Sequence, residues 1–212
     1  MRSVKTGTWI RNELEIQRSR FITTLAHVST EEEARLFIDE IRDEFPDATH
    51  NCSAFIVKPD DLNEIGHSND DGEPSGTAGP PMLDVFLREE LVNVAAVVTR
   101  YFGGTLLGAG GLIRAYSSSV AEALHLAQIV EIKKLARFEL DVPHSYAGRI
   151  EADLRGRGFT ITNVKYHQVA TIISAVEPKR TDEFLNLIAE LSGGEVTPRE
   201  ISPTSIELDV TP

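Results

Sequence analysis

The stretch Val92-Asn-Val-Ala-Ala-Val-Val-Thr-Arg-Tyr101 is almost continuously apolar, and it runs through Phe102 into Gly103-Gly-Thr-Leu-Leu-Gly-Ala-Gly-Gly111. A short apolar run of this kind predicts a central strand that is covered on both faces. Apolar residues then recur at helical spacing, at Ile113, Tyr116, Val120, Leu124 and Ala127. The glycines are therefore expected at the corner between a buried strand and a long helix.

The residues before this stretch predict a hairpin, a helix and another buried strand. Residues 14–28 hold an alternating segment followed by an apolar one, a pattern that favours a hairpin. Thr30 lies three residues before Glu33, the spacing of a capping box, and Pro46 marks the end of the helix that follows. The apolar run 52–57 predicts the next strand.

Residues 58–81 carry no sustained periodicity and are rich in Asp, Gly, Pro and Ser. A loop of this length within a compact domain is commonly functional. We expect its first part to be mobile, and the part from Asp70 onward to be ordered if Asp70 or Glu73 caps backbone N–H groups. Pro81 then begins a helix, whose buried face is predicted to be Leu83, Phe86, Leu87 and Leu91.

The second half of the chain predicts the order β-α-β-β-α-β, which is the split βαβ or ferredoxin-like plan. Its signals are a strand at 138–142, a helix after Pro143, strands at 159–166 and 169–176, a helix from Thr181, and a last strand at Ile206, Leu208 and Val210. We therefore expect an α/β (α+β) chain of two domains, residues 1–135 and 136–212. The two should meet near 128–135 with no sheet running through both.

Composition narrows the class of protein. The 212 residues include 33 acidic and 21 basic ones, a net charge of −12, which excludes a protein that coats nucleic acid by bulk charge. The single cysteine, Cys52, excludes an intrachain disulfide and any multi-cysteine zinc or iron–sulfur site. The start lacks the apolar region of a signal peptide, and no apolar run approaches the ~20 residues that span a bilayer. We expect a cytoplasmic protein with no membrane partner.

The glycine segment and two arginines form the first candidate site, for an anion or a nucleic acid. Its residues are Arg100, Gly103, Gly104, Gly108, Gly110, Gly111 and Arg114. Glycines let backbone N–H groups approach a ligand, a helix N-terminus favours an anion, and arginine binds phosphate or carboxylate in bidentate fashion. The segment matches neither the Walker nor the Rossmann fingerprint. The alternative is a tight turn with a close contact between helix and sheet.

Three carboxylates within four residues, Asp70, Asp71 and Glu73, form a second candidate. Clustered carboxylates suit a hard cation or a shared proton. The spacing differs from that of the calcium loop, and the alternative is a solvated turn or a set of backbone caps. We keep His50, Asp70, Asp71 and Glu73 as candidate residues of a functional loop and expect no metal.

The remaining candidates favour no catalytic chemistry. One cysteine and two histidines, Cys52, His50 and His67, cannot close a zinc site without a carboxylate from elsewhere. Cys52 precedes apolar residues and is typical of a small buried hydrophobe. The serines 117–119 lack the G-x-S-x-G elbow of a serine nucleophile. We expect no catalytic residue and no cofactor.

Three strings together resemble the YigZ/IMPACT family. They are His50-Asn-Cys-Ser-Ala-Phe55, Asn69-Asp-Asp-Gly-Glu-Pro-Ser-Gly-Thr-Ala-Gly79 and Arg100-Tyr-Phe-Gly-Gly-Thr-Leu-Leu-Gly108. The resemblance covers roughly residues 15–125 for the domain that the family shares. The downstream half resembles the second domain of the bacterial YigZ branch, so the two-domain form is expected.

This resemblance implies a fold for each domain and a role in translation. The first domain is expected to have the second-domain fold of a small-subunit ribosomal protein, shared with the GHMP enzymes, and the second the ferredoxin-like fold of the last domain of elongation factor G. Eukaryotic IMPACT proteins restrain a translation-control kinase by competing for its ribosome-associated activator. They have an additional N-terminal domain that is not expected here, so that particular partner is not implied.

Three hypotheses of function follow, one of which is a pure protein-interaction module with the long loop as its recognition surface. The first is a cytoplasmic, non-catalytic, translation-associated regulator that binds RNA or a ribosome-associated protein. The alternative is an enzyme for a small phosphorylated or carboxylated substrate, in which Arg100, Arg114 and the glycines bind the anion. In that case Asp70, Asp71 or Glu73 would hold magnesium or act as general base, and the long loop would be a lid.

Overall fold

The computed structural model describes residues 1–59 and 63–209, and the chain forms two compact units. The first comprises Met1–Glu131 together with the chain from Glu207, and the second comprises Ile132–Ile206. None of the helices in the described residues is long and apolar enough to cross a membrane.

The first unit is built on a five-stranded antiparallel sheet with helices on both faces. Its elements are β1 (Arg2–Val4), β2 (Trp9–Ile16), β3 (Ser19–His27), α1 (Glu31–Glu44), β4 (His50–Val57), β5 (Ile65–Asn69), α2 (Gly79–Arg88), β6 (Leu91–Val92), β7 (Val94–Tyr101) and α3 (Gly108–Leu126). The strand order is β2-β3-β7-β4-β5, so β7 is central.

Strand β7 is covered on both faces, as its apolar run predicts. Ala95 and Val97 pack in the cluster that contains the apolar face of α1. Val94, Ala96 and Val98 alternate with them and pack in the cluster that contains α2 and α3. Successive side chains of a strand point to opposite faces of the sheet, so this one apolar run contributes to two cores.

The predicted hairpin and capping box are both confirmed. The turn between β2 and β3 has Gln17 and Arg18 in the left-handed region, with φ of 48° and 68°, without any glycine. At the start of α1, the Glu33 N–H donates to Thr30 Oγ1 at 3.1 Å, and the Ser29 N–H donates to the Glu33 carboxylate at 2.7 Å.

The long loop contains a strand that its composition did not reveal. Strand β5 pairs with β4 at the edge of the sheet, and most of its residues are exposed, so no apolar alternation marks it. Helix α2 begins at Gly79, two residues before Pro81. Its predicted buried face is partly wrong, because Leu87 is 50% exposed and Met82 is buried instead. Of the part predicted to be mobile, residues 60–62 lie outside the described residues.

The second unit has the predicted β-α-β-β-α-β order. Its elements are β8 (Ile129–Val142), α4 (His144–Gly156), β9 (Thr160–Tyr166), β10 (Ala170–Val176), α5 (Thr181–Ser192) and β11 (Arg199–Asp209). Strand β10 pairs with β8 and β9, and β11 pairs with β8, which is the ferredoxin-like strand order. Val210, expected in the last strand, lies outside the described residues.

Strand β8 contributes to both units. Its residues 129–131 pair with β1, which also pairs with β6, whereas residues 136–142 pair with β10. The expectation that no sheet continues from one half to the other is therefore wrong. The alternating pattern at 138–142 identified only the part of the strand that covers the second core.

Candidate functional site

Five side chains from β4, β7, α3 and the loop before α2 meet in what we call the polar cluster: His50, Cys52, Glu73, Arg100 and Tyr116. Strands β4 and β7 are neighbours, and their register places His50 opposite Arg100. Tyr116 projects from the buried face of α3 onto the same side of the sheet. Glu73 arrives from the tight turn that follows β5.

The centre of the polar cluster is a buried ion pair. Arg100 Nη1 donates to Glu73 Oε1 at 2.6 Å, and the two side chains are 6% and 3% exposed. The Tyr116 hydroxyl donates to the same oxygen at 2.7 Å. Arg100 Nη2 lies 3.3 Å from Ser19 Oγ, and its Nε is buried without a hydrogen-bond partner in the described part of the chain.

The predicted role of Arg100 as a grip on an external anion is therefore corrected. Its guanidinium lies over the rings of Phe21 and Phe102, with 5.3 and 5.6 Å to their centroids, and its charge is matched by Glu73. A buried, paired guanidinium stabilises the ends of β7 and β3, where Ser19 also accepts the Gly103 N–H at 3.2 Å. Arg114 is left as the arginine of the candidate anion site.

Cys52 and Tyr116 lie in the core behind this pair. The Cys52 thiol is 2.9 Å from the Asp70 carbonyl and 3.3 Å from the Tyr116 hydroxyl. Burial raises the pKa of the thiol to about 12, and burial also raises the pKa of the Tyr116 phenol. Cys52 is fully buried, as predicted, and holds its proton at neutral pH.

Cys52 is expected to resist thiol reagents in the native protein. At pH 8 a thiol of pKa about 12 is ionised about a thousandfold less than an ordinary one, and only the thiolate reacts. Labelling with a disulfide reagent at pH 8 should be slow in buffer and complete in concentrated urea, where the single cysteine gives one equivalent. Rapid labelling of the native protein would show that Cys52 is accessible and ionised.

The carboxylates of Asp70 and Asp71 accept hydrogen bonds from nearby backbone N–H groups. Asp70 accepts the N–H groups of Gly76, Ala78 and Gly79 at 2.7, 2.9 and 2.8 Å, and so caps the start of α2. Burial acts to raise the pKa of Asp70, but these three hydrogen bonds outweigh it and hold the pKa below its ordinary value. Asp71 accepts the Asn51 N–H at 2.6 Å. The capping alternative accounts for both residues.

His50 is the member of the polar cluster beside Asp71 and Glu73. Its Nδ1 lies 2.8 Å from the Asp71 carbonyl oxygen, which places a proton on Nδ1. Its Nε2 faces Glu73 Oε2 at 3.9 Å, beyond hydrogen-bonding distance. Within residues 1–59 and 63–209 no group of three His, Cys, Asp or Glu side chains could hold a metal ion.

The glycines of the candidate site have different roles. A Cβ at Gly103 would lie 2.0 Å from the Arg18 carbonyl oxygen, so this glycine serves close packing of two backbone segments. Gly104 and Gly108 have φ of 82° and 70° and open space around the Cβ position. A further packing glycine that sequence reasoning missed is Gly79, where a Cβ would lie 2.6 Å from the Asn69 nitrogen.

The segment from Phe102 to Gly111, with Ile113 and Arg114, forms an exposed surface that we call the glycine-loop surface. Phe102, Leu106 and Ile113 are 46%, 86% and 42% exposed, although the helical spacing placed Ile113 on the buried face. Arg114 is exposed, and its side chain has no ion pair or hydrogen bond among the described residues. The N-cap residue of α3, Leu107, makes no side-chain capping hydrogen bond.

Comparison with known proteins identifies two domains in this chain. The Impact N-terminal domain matches residues 17–124, and a domain of unknown function, DUF1949, matches residues 140–195. The chain is 43% identical to IMPACT family member YvyE of Bacillus subtilis over 92% of its length and 89% of the relative's. It is 39% identical to IMPACT family member YigZ of Escherichia coli, over 86% of its length and 89% of the relative's.

A solved structure is similar to this chain over nearly its whole length. The crystal structure of a hypothetical protein is 35% identical, covers 95% of this chain and 98% of its own, and superposes with a TM-score of 0.63. The two domain matches fall on the two units described above. This chain belongs to the IMPACT family and carries both the Impact N-terminal domain and the DUF1949 domain.

Proposed function

We propose that this chain is a translation-associated regulator that acts by binding RNA or a ribosome-associated protein and not by catalysis. Membership of the IMPACT family supports the link to translation, since the eukaryotic members are expected to act on translation control. A cytoplasmic location is part of the same proposal. The candidate binding region is the glycine-loop surface.

The observation that carries this proposal is the exposure of the glycine-loop surface. Three large apolar side chains of this one segment, Phe102, Leu106 and Ile113, are exposed, and a group of exposed apolar side chains is typical of an interaction surface. Beside them lie the open backbone at Gly104 and Gly108 and the unpartnered guanidinium of Arg114. Backbone N–H groups, an apolar contact and one positive charge suit a short stretch of a phosphate- or carboxylate-bearing partner.

The polar cluster supports binding over catalysis. Glu73 is neutralised by Arg100, and the thiol of Cys52 keeps its proton at neutral pH. The hydroxyls of Ser117 and Ser119 donate to carbonyl oxygens one turn earlier in α3. These side chains hold β4, β7 and α3 together, and none of them is an activated nucleophile.

One observation favours the alternative, an enzyme for a small phosphorylated or carboxylated substrate. His50 Nε2 and Glu73 Oε2 face each other at 3.9 Å and could share a hydrogen-bonding group of a bound molecule. The Glu73 side chain is only 3% exposed, so a substrate would have to displace part of the cluster. A ligand-induced rise in Tm that His50→Gln abolishes would favour this alternative.

We expect the protein to co-sediment with purified bacterial ribosomes at low salt. If the contact is with RNA, the one exposed arginine of this surface, Arg114, together with the N-terminus of α3 limits it to about two phosphates, so the log–log salt slope should be no steeper than about −2. Parallel titrations with protein-free ribosomal RNA and with intact ribosomes separate the RNA and protein partners. Absence of co-sedimentation at low salt would contradict the proposal.

A further inference from the structure

A second surface of the first unit, separate from the glycine-loop surface, has the features of a docking groove. It is an open groove of about 380 Å³ between α1 and the outer end of the hairpin β2-β3. We call it the α1 groove, and its lining is Gly7, Thr8, Trp9, Ala26, His27, Val28, Glu33, Leu36, Phe37 and Glu40. It shares no residue with the glycine-loop surface, so this inference does not depend on the proposed function.

Two large apolar side chains are exposed in the α1 groove. Trp9 is 48% exposed and Leu36 is 64% exposed. The Trp9 ring meets the buried Phe37 ring edge to face, with centroids 5.3 Å apart and planes at 88°, so the indole is held in place on one side. A fixed, half-exposed tryptophan beside an exposed leucine is the type of residue that anchors protein–protein contacts.

The charge of the α1 groove is negative. Glu33 and Glu40 line it, and none of its ten lining residues is a lysine or an arginine. The Glu40 side chain has no ion pair among the described residues. Burial lowers the pKa of His27, against the opposing effects of Glu207 and Glu33, so the imidazole is neutral at pH 7 and adds no positive charge to the groove.

These features select one class of occupant. Phosphate backbones are repelled by Glu33 and Glu40, so RNA fits poorly. A second copy of the chain carries a net charge of −12 and is repelled as well. We propose that the α1 groove docks a basic segment of a partner protein, which packs an apolar side chain against Trp9 and Leu36 and places lysine or arginine next to Glu33 and Glu40.

Binding in the α1 groove can be followed by tryptophan fluorescence, because Trp9 is the single tryptophan of the chain. The probe is a tryptophan-free amphipathic helical peptide with leucine on one face and lysine and arginine on the other. Titration should give a saturable blue shift of the Trp9 fluorescence, with an affinity that falls as salt rises. A peptide with the same leucine face and glutamate in place of the basic residues should give no shift.

Variants locate the contact. Leu36→Ser should weaken binding of the basic peptide by about tenfold, as expected for an interface anchor, and Glu40→Gln should weaken it and flatten the salt dependence. Leu106→Ser is the matched control, since Leu106 is also exposed but lies on the glycine-loop surface. Equal affinities for Leu36→Ser and wild type, equal binding of the acidic peptide, or a fluorescence shift caused by self-association without peptide would each overturn the proposal.

Discussion

Gly103→Ala is expected to unfold the first unit or to destabilise it by more than about 4 kcal/mol, the range that marks a severe steric or packing defect. A Cβ at this position would lie 2.0 Å from the Arg18 carbonyl oxygen and 2.6 Å from the Ser19 nitrogen. Both atoms belong to the backbone of the β2-β3 turn, so no flexible side chain can move aside. The measurement is urea unfolding followed by the fluorescence of Trp9, which lies in this unit.

Two other glycines serve as controls for Gly103→Ala. Gly148→Ala, in the exposed middle of α4, lies in the second unit, so its unfolding is followed by far-ultraviolet circular dichroism and not by Trp9. It should be neutral or stabilising by about 0.5–1 kcal/mol because alanine is the better helix former. Gly104→Ala has open space but a φ of 82°, so it should cost only about 1–2 kcal/mol. If Gly103→Ala unfolds at the same urea concentration as Gly104→Ala, the close packing described here is wrong.

Glu73→Gln is expected to destabilise the first unit by about 3–5 kcal/mol, because it leaves the Arg100 charge buried without a counter-ion. The substitution keeps the shape of the side chain and removes only its charge. Arg100 is 5% exposed, so water does not solvate the guanidinium in compensation. The free energy of unfolding is measured by urea titration with Trp9 fluorescence.

The chain offers an exposed pair of similar geometry as the control. Arg20 Nε donates to Glu13 Oε1 at 2.8 Å, but the two side chains are 51% and 47% exposed, so Glu13→Gln should cost less than about 1 kcal/mol. The double variant Glu73→Gln with Arg100→Met should recover part of the lost stability. A loss for Glu73→Gln no larger than that for Glu13→Gln would mean that the buried pair is not a structural element.

The elements predictable from the sequence are those whose burial is one-sided or complete. The apolar run of β7, the capping box at Thr30 and the alternation at 138–142 each carry a local signal that the packing preserves. Strand β5 has no such signal, because it lies at an edge of the sheet and exposes most of its residues. Leu87 was predicted to be buried but is exposed, because helical spacing alone does not determine which leucines face the core.

The candidate site was less predictable because its chemistry depends on which charges meet. Arg100 and Glu73 are 27 residues apart, and only the packing of the loop against the end of β7 pairs them. One signal was available: an arginine that ends a fully buried strand needs a counter-ion, and the nearby acidic run could supply it. The backbone of Gly103 contacts the β2-β3 turn, which is distant in sequence. A contact of this kind produces no local sequence pattern from which it could be predicted.

In the proposed function the glycine-loop surface binds a translation-associated partner, and the polar cluster only supports that surface. The direct measurement is the affinity of Arg114→Ala for purified ribosomes, next to Arg88→Ala as an exposed arginine outside that surface. Loss of a hydrogen bond to a charged group should weaken Arg114→Ala by about 1.5–3 kcal/mol, or roughly 10- to 150-fold, and leave Arg88→Ala unchanged. Equal affinities of Arg114→Ala, Arg88→Ala and wild type would contradict it.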